Sequence, residues 1–504
     1  NGVILITTKA GKRSMKPEVN YSSYVAVSSF GKKADFIDAT DFRNLLKEGV
    51  KLPYTDEGAT TDWLDEITRT GFTQNHNVSL KSGNENSNYA ASVTYNNQDG
   101  VFKRTNNQEM RAIFDANQFL FNDKLKINLN FVKGLQRNNC VGEASSFNKN
   151  IYRQALIRNP TAPIKKEDGS WSETSLLQYY NPVAMIEETD GEQKNEWSRI
   201  AANFTLKPIS SWETNLMLST RRSSGMTGYS ESKKHYSNTI LGKNGVASKS
   251  DKFGRSDDLE LTSKYSASIG QHKFSVLGGY SYEYNLSEDS YAYNYDFPSD
   301  AFSYNNLGAG AALQSGKAEI TSNKYDDRLI GFFGRLSYNF GDRYNILASL
   351  RHEGSSKFGE NYKWGNFPSV SAGWTISNES FMRGLTFINN LKLRSGYGIT
   401  GVIPNDSYQS LTLLEYKNYF YSNGKWVKGL VPKSNPNPDL RWEKSREFNV
   451  GLDFALLKSR INGSIDIYKK KTTDLLWEYP VPVPPNLYGE TLANVGEMTN
   501  KGIE

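Results

Sequence analysis

Apolar and polar residues alternate along this chain in segments of about ten residues, the period of a strand with one greasy and one wet face. In Leu125-Lys126-Ile127-Asn128-Leu129-Asn130-Phe131 the four apolar residues fall on one face of a strand and Lys126, Asn128 and Asn130 on the other. Phe448, Val450, Leu452 and Phe454 stand in the same way against Asn449, Gly451 and Asp453. This two-beat pattern predicts strands over 19–27, 75–80, 89–95, 112–121, 125–131, 200–206, 212–218 and 259–269. It continues over 274–284, 330–340, 344–351, 370–376, 391–399, 448–454 and 461–468, and Val495 begins one more.

The connections alternate as well. Asn122-Asp123, 207–211, Gly270-Gln271, Gly341-Asp342 and 456–459 are tight turns, whereas 28–71, 134–195, 222–254, 285–323 and 401–443 are long loops. The long loops share one parity, so they gather at one end of the sheet. Outer-membrane barrels have this layout, with short periplasmic turns and long outer loops. A soluble sandwich has no reason to keep it. Strand 330–340 is also long enough for the roughly 9–11 residues needed to cross a membrane at a tilt. Aromatics flank the tight turns: Phe340 and Tyr344 bracket one, and Trp212 and Phe274 each open a strand. That fits an interfacial girdle.

Composition sharpens this picture without changing it. Hydrophobic residues make up 37% of the 504, and no run is long enough for a transmembrane helix. Barrel strands escape such scans because half of each strand faces water. Aromatics reach 13%, with 30 tyrosines, a residue that favours membrane interfaces. A net charge of +6, without a basic run or recognition helix, does not point to nucleic acid. The single cysteine, Cys140, excludes an intramolecular disulfide framework. The chain opens on a continuous apolar β-run, Val3-Ile4-Leu5-Ile6-Thr7-Thr8, which expects a sheet covered on both faces. Nothing precedes that run to supply such a sheet. The expectation is therefore a chain truncated at its N-terminus and cut in mid-strand at Glu504, so that a missing signal peptide says nothing about location.

Several longer motifs carry a family resemblance. They are Asn1-Gly2-Val3-Ile4-Leu5-Ile6-Thr7-Thr8-Lys9-Ala10-Gly11-Lys12, Gly354-Ser355-Ser356-Lys357-Phe358-Gly359 running on to Gly365-Asn366-Phe367-Pro368-Ser369, and Trp374-Thr375-Ile376-Ser377-Asn378-Glu379. Leu393-Arg394-Ser395-Gly396-Tyr397-Gly398, Asn437-Pro438-Asp439-Leu440-Arg441-Trp442-Glu443 and Asn494-Val495-Gly496-Glu497 follow in the expected order. Through them the chain resembles SusC/RagA-type TonB-dependent outer-membrane transporters. It departs at His352-Glu353-Gly354, where the family commonly has Asp before Gly. The resemblance implies an all-β fold, a transmembrane antiparallel β-barrel of 22 strands around an N-terminal plug, of which about 15–16 strands are expected here. Residues 1–12 read as the C-terminal end of the plug domain, and 13–504 as the barrel, truncated before closure. The resemblance further implies import energised through the TonB complex, a SusD-like surface lipoprotein as partner, and an oligosaccharide or peptide as cargo. The TonB-binding segment is absent from this sequence.

No enzyme chemistry stands out. His76, His235, His272 and His352 are scattered, none at metal-ligand spacing, and neither a Gly-x-Ser-x-Gly elbow nor a phosphate loop occurs in context. The acid pairs Asp257-Asp258 and Asp326-Asp327 read as solvated loop acids. No catalytic residue, metal or cofactor is expected. The ligand candidates are clustered aromatics in the long loops: Trp171, Tyr179 and Tyr180, the ladder Tyr291, Tyr293 and Tyr295, and Tyr419 and Tyr421 with Trp426. Their rings can stack on sugar C–H faces; equally they can pack loops together or meet a lipoprotein. Arg335, Asn339, Asn345 and Arg351, opposite their apolar neighbours, are expected to line a polar lumen. Asp41 to Lys47 and Asp62 to Ile67 read as short helices that Asp41 and Asp62 could initiate. A passive porin and a surface adhesin or binding barrel remain the rival functions.

Overall fold

The computed structural model describes residues 11–31, 36–139, 149–174 and 179–504. The opening run at Val3 to Thr8 and Cys140 lie outside the described residues. Eight strands form the first half of the chain: β1 Glu18–Ser28, β2 Gly71–Gly83, β3 Ser87–Asp99, β4 Asn106–Leu120, β5 Leu125–Asn139, β6 Thr189–Ile209, β7 Trp212–Glu231 and β8 Val246–Ile269. Then follow β9 His272–Tyr295, β10 Glu319–Phe340, β11 Tyr344–Ser355, β12 Trp364–Thr375, β13 Ile388–Val402, β14 Leu414–Ser422 and β15 Lys425–Pro432. The last are β16 Glu443–Leu456, β17 Ile461–Thr473, β18 Leu476–Pro480, β19 Glu490–Asn494 and β20 Glu497–Ile503. Sixteen of them pair in chain order into one antiparallel meander, with β14–β15 and β18–β19 as separate hairpins in the loops. Among the described residues the sheet is open, with β1 and β20 at its free edges.

Every strand that the alternation predicts is present in the meander. The strands are longer than the alternating stretches, however. β8 and β9 run 24 residues each and β10 runs 22, about twice what a tilted membrane path needs. Alternation marks a strand only where one face meets lipid. Above that level both faces are polar or meet loops, so the pattern fades while the ladder continues. The stretch 222–254, read from sequence as a loop, is therefore mostly strand, and 285–323 is strand at both ends, so the connections shrink to 232–245 and 296–318. Tyr291, Tyr293 and Tyr295 are corrected accordingly: they lie on β9 and not in a loop.

The register defines the two faces. Outward positions on β16 are Phe448, Val450, Leu452, Phe454 and Leu456, and they lie opposite Ile461, Ile465 and Ile467 of β17 and Leu393 of β13. These side chains are exposed: Phe448 at 52%, Ile465 at 49% and Ile467 at 55%. Burial within this chain cannot account for an apolar belt that faces out; lipid can. At the short-turn end the belt finishes in stacked aromatics, Phe340 on Tyr344 and Tyr344 on Trp374 with centroids 6.3 and 6.4 Å apart. Glu379, in the turn after β12, ties that edge together. It accepts bonds from the Tyr344 hydroxyl at 2.6 Å, the Trp374 indole N–H at 3.0 Å and Arg343 Nη1 at 3.0 Å. These three donors hold its carboxyl below the usual carboxylate range, the Tyr344 hydrogen bond first. This gives the Trp374 to Glu379 motif a structural reason.

Buried apolar residues gather in the outer loops. Helices α1 Ala39–Lys47, α2 Trp63–Ile67, α3 Ile151–Ile157, α4 Pro182–Glu187 and α5 Tyr236–Ile240 lie there. α2 is capped by Asp62 as its position predicts, but α1 starts earlier than expected. Asp38, not Asp41, is its cap, and Asp38 Oδ1 accepts the N–H groups of Thr40 and Asp41 at 2.7 and 2.8 Å.

Candidate functional site

The inward face is polar and cross-linked. Asn88, Asn117, Asn128 and Asn203 stand side by side on β3, β4, β5 and β6 and form an amide ladder. Asn117 Nδ2 donates to Asn88 at 2.9 Å, Asn128 Nδ2 to Asn117 at 3.0 Å, and Asn203 Nδ2 to Asn128 at 3.4 Å. The four lumen candidates share this face. Asn339 pairs with Asn345 across β10 and β11, donating to it at 2.6 Å. Arg335 faces inward one step above Ser337. Arg351 donates to Ser281 Oγ at 3.1 Å, binds Glu353, and stacks over Phe333 with its guanidinium carbon 5.3 Å from the ring centre. Arg394, inside one of the quoted motifs, bridges Asp453 at 3.1 Å and Asp466 at 2.6 Å on the next two strands.

Above the membrane level the long strands make a wall, and the tyrosine ladder stands on its inward face. Tyr293 lies between Ser248 of β8 and Glu319 of β10, and Tyr291 between Ser250 and Thr321. Tyr293 and Tyr295 rings are 6.0 Å apart, and Lys243 Nζ bonds the Tyr293 hydroxyl at 2.7 Å while lying over the Tyr295 ring at 4.6 Å. Two neighbouring rings tilted by 43°, a cation and nearby hydroxyls offer apolar faces with polar edges, the combination that a pyranose ring presents in complement.

The other candidates meet different fates. Tyr180 is buried, 7% exposed, in a core made of loops: Trp63, Leu64 and Ile67 of α2, Ile151 and Ala155 of α3, and Met185 and Ile186 of α4. As a ligand contact it is thus corrected to a packing residue. Tyr179 packs edge-on against Tyr54 at 5.8 Å, and its carbonyl accepts from Arg158 Nη1 at 3.0 Å. Trp171 is half-buried, with its indole N–H on Glu188 at 2.8 Å and Lys165 over its ring at 4.5 Å. This loop core holds buried charge that the sequence did not signal. Glu173 lies 4.0 Å from Arg158, and one of its oxygens has no hydrogen-bond partner among the described residues. Burial pushes its carboxyl up to about 7 despite Arg158. Burial likewise lowers Arg158 and, with Tyr179 beside it, pushes the Tyr54 phenol up to about 12.

A second loop core joins two of the quoted motifs. Phe358 and Leu440 are almost fully buried, and Trp442 packs against Phe358 at 4.8 Å and Phe367 at 5.0 Å. Gly359 donates its N–H to Leu440 O at 3.0 Å, and a Cβ there would overlap the Pro438 carbonyl. These motifs therefore clamp the β11–β12 and β13–β16 connections together. From the second connection projects the β14–β15 hairpin, where Tyr419, Tyr421 and Trp426 are 60%, 64% and 69% exposed and Tyr421 meets Trp426 at 5.4 Å.

One cavity of about 1250 Å³ is not on the inward face. It touches three consecutive residues on each of seven strands, such as Leu135-Gln136-Arg137 and Asp251-Lys252-Phe253, and the outer two of each triplet point outward. It is a trough on the outside of the wall.

A sixteen-stranded meander with an outward apolar belt, an inward polar face and loops at one end defines an outer-membrane β-barrel. Residues 146–504 match the family model described as TonB dependent receptor-like, beta-barrel, and the chain belongs to that family, within its SusC/RagA type. It is 30% identical over its whole length to the TonB-dependent receptor SusC of Bacteroides thetaiotaomicron, covering 51% of that protein. It is 29% identical to the TonB-dependent receptor P3 of Formosa agariphila, covering 50% of it. The chain thus spans about half the length of the curated relatives it matches. Among solved structures it superposes on one described as the RagAB peptide transporter with a TM-score of 0.80 at 19% identity, covering 98% of this chain and 59% of that one.

Proposed function

We propose that this barrel serves as an outer-membrane active importer of oligosaccharides, energised through TonB and capped by a SusD-like lipoprotein. The observation that carries the cargo class is the Tyr291–Tyr293–Tyr295 ladder, set among Ser248, Ser250 and Thr321 on the inward face of the upper wall. Its rings offer stacking faces and its neighbours offer hydroxyls, as a chain of sugars requires. The 30% identity to a protein named SusC supports the same transporter type. A peptide cargo is the second reading, favoured by the likeness in fold to a structure described as a peptide transporter. The exposed aromatics of the β14–β15 hairpin, Tyr419, Tyr421 and Trp426, are proposed as contacts for the lipoprotein cap.

Residues 11–16 support a plug that leaves the barrel at its short-turn end. Ser14 N–H donates to Asn84 O at 3.1 Å, and Arg13 bridges to Asp123 at 2.7 Å in the turn between β4 and β5. The segment thus crosses under β2 to β4 on the side where TonB would act. The test is uptake of a fluorescent oligosaccharide by cells carrying the full-length protein, with Tyr291→Ala/Tyr293→Ala as the variant. Uptake should require an energised TonB system and fall in the variant while barrel assembly is unchanged. Uptake that persists without TonB supports a porin, and binding without uptake supports an adhesin.

A further inference from the structure

Outward-facing cations sit above the apolar belt on β5 to β10 and on β16, β17 and β20, but they are treated in two ways. On β5 to β10 most have an acid beside them; the like-charged pair there, Arg222 opposite Arg255, has Asp257 next to it. Lys133 meets Glu196 at 2.9 Å, Lys194 meets Glu192 at 2.6 Å, Arg255 meets Asp257 at 2.6 Å, Lys324 meets Glu288 at 2.6 Å, and Arg328 meets Asp326 at 3.1 Å. On β16, β17 and β20 the balance fails. Arg446 lies directly opposite Lys471, and Lys469 directly opposite Lys501, with Lys444 two residues above Arg446. The acid on that face is Glu497, which takes Lys471 at 2.8 Å, and Arg446 has the Thr473 hydroxyl at 2.9 Å. No ion pair reaches Lys444, Arg446, Lys469 or Lys501 among the described residues. The adjoining outward positions of β13, Ile399 and Gly401, bring no charge.

Like charges directly opposite on a sheet repel and cost stability. Two such pairs side by side make sense where an anion lies between them. The level of the patch says which anion. Val450 and Ile467 are the outward residues just beneath Phe448 and Lys469, so the cations stand at the upper rim of the lipid-facing belt, on the side of the long loops. In an outer-membrane barrel that is the headgroup level of the outer leaflet. We infer that Arg446, Lys469, Lys471 and Lys501, with Lys444 above them, form a binding site for a lipid with phosphorylated headgroups, its acyl chains lying on Val450, Ile465 and Ile467. Arg446 supplies a planar two-point contact for a phosphate and the lysines supply mobile point charges.

The test uses the full-length protein in phosphatidylcholine nanodiscs titrated with fluorescent bis-phosphorylated lipid A. Arg446→Gln/Lys469→Gln/Lys471→Gln/Lys501→Gln should weaken binding by at least about tenfold. Lys133→Gln/Lys324→Gln, which removes cations already neutralised by Glu196 and Glu288, should leave it unchanged. Lys469→Gln/Lys501→Gln alters two exposed side chains alone and should give an intermediate loss should the fourfold variant not assemble. Dephosphorylated lipid A should bind all variants equally weakly. Binding unchanged in both the fourfold and the double variant, equal binding of dephosphorylated lipid A to the wild type, or displacement by stoichiometric inorganic phosphate would each overturn the assignment, the last by showing a free-phosphate site.

Discussion

Replacing Leu452 with Arg tests the assignment of the two faces most directly. Leu452 is the third of the five outward apolar residues from Phe448 to Leu456 on β16, with Leu393 on one side and Ile465 on the other. Eight residue steps at roughly 3.4 Å, inclined by roughly 40° to the barrel axis, project to a band about 20 Å tall, close to the ~25 Å apolar height of an outer-membrane barrel. Leu452 therefore lies near the midplane, where an arginine costs roughly 2–4 kcal/mol. That corresponds to about 30- to 900-fold in the folding equilibrium. The control is Ser464→Arg on β17, which points inward opposite Asp453 and adds a cation beside a carboxylate in a wet lumen. Both variants of the full-length protein would be folded into phosphatidylcholine bilayers and unfolded in guanidinium, with tryptophan fluorescence and heat-modifiable gel migration as readouts. Leu452→Arg should unfold at markedly lower denaturant and Ser464→Arg close to the wild type. Equal behaviour, or a greater loss for Ser464→Arg, would refute the inward–outward assignment and the membrane reading with it.

Glu173 predicts a pH dependence of the loop core. Its carboxyl titrates at about 7 in the folded chain against 4.5 when unperturbed, so between these values the folded state holds a proton that the unfolded state has released. Stability of the core is then fully present below about pH 4.5 and declines by about 3 kcal/mol as pH rises to about 7. Hydrogen-exchange protection over residues 149–174 and 179–187, corrected for the intrinsic rise of exchange with pH, should fall across that range, and Glu173→Gln should remove the fall; a fall unchanged in the variant would reject burial of this carboxyl as its source. Gly359→Ala should cost about 1–3 kcal/mol by forcing Gly359 away from the Pro438 carbonyl. Limited proteolysis should then cut the β11–β12 and β13–β16 connections sooner, and an unchanged cleavage rate would show that the two motifs do not clamp each other.

Legibility of this fold follows the solvent boundary. The alternation that marks Phe448 to Phe454 exists because lipid lies on one side and water on the other, and wherever that held the predicted strand is present. Residues 285–295 carry no such contrast: Leu286, Glu288, Ser290 and Ala292 face one way and Ser287, Asp289, Tyr291 and Tyr293 the other, both sides mixed. Their strand is held by main-chain bonds to β8 and β10, which composition does not reveal. The loop hairpins β14–β15 and β18–β19 were missed for the same reason.

The aromatic candidates make the point about function. Tyr180, Tyr293 and Tyr421 are the same residue in equally aromatic surroundings, yet one is a core residue, one lines the inward wall and one projects from a hairpin. What separates them is distant in sequence: α2, about 115 residues upstream, closes over Tyr180, and Lys243 and Ser248 reach Tyr293 across a strand pair. The quoted motifs carry the family resemblance, and the structure gives them a packing role. Phe358, Gly359, Leu440 and Trp442 interlock, a constraint on shape that any cargo leaves unchanged. On the upper wall around Tyr291 and Tyr293 neither lipid contact nor interlocking dictates which residue stands at a position, so the proposed cargo contacts fall where the sequence is least patterned.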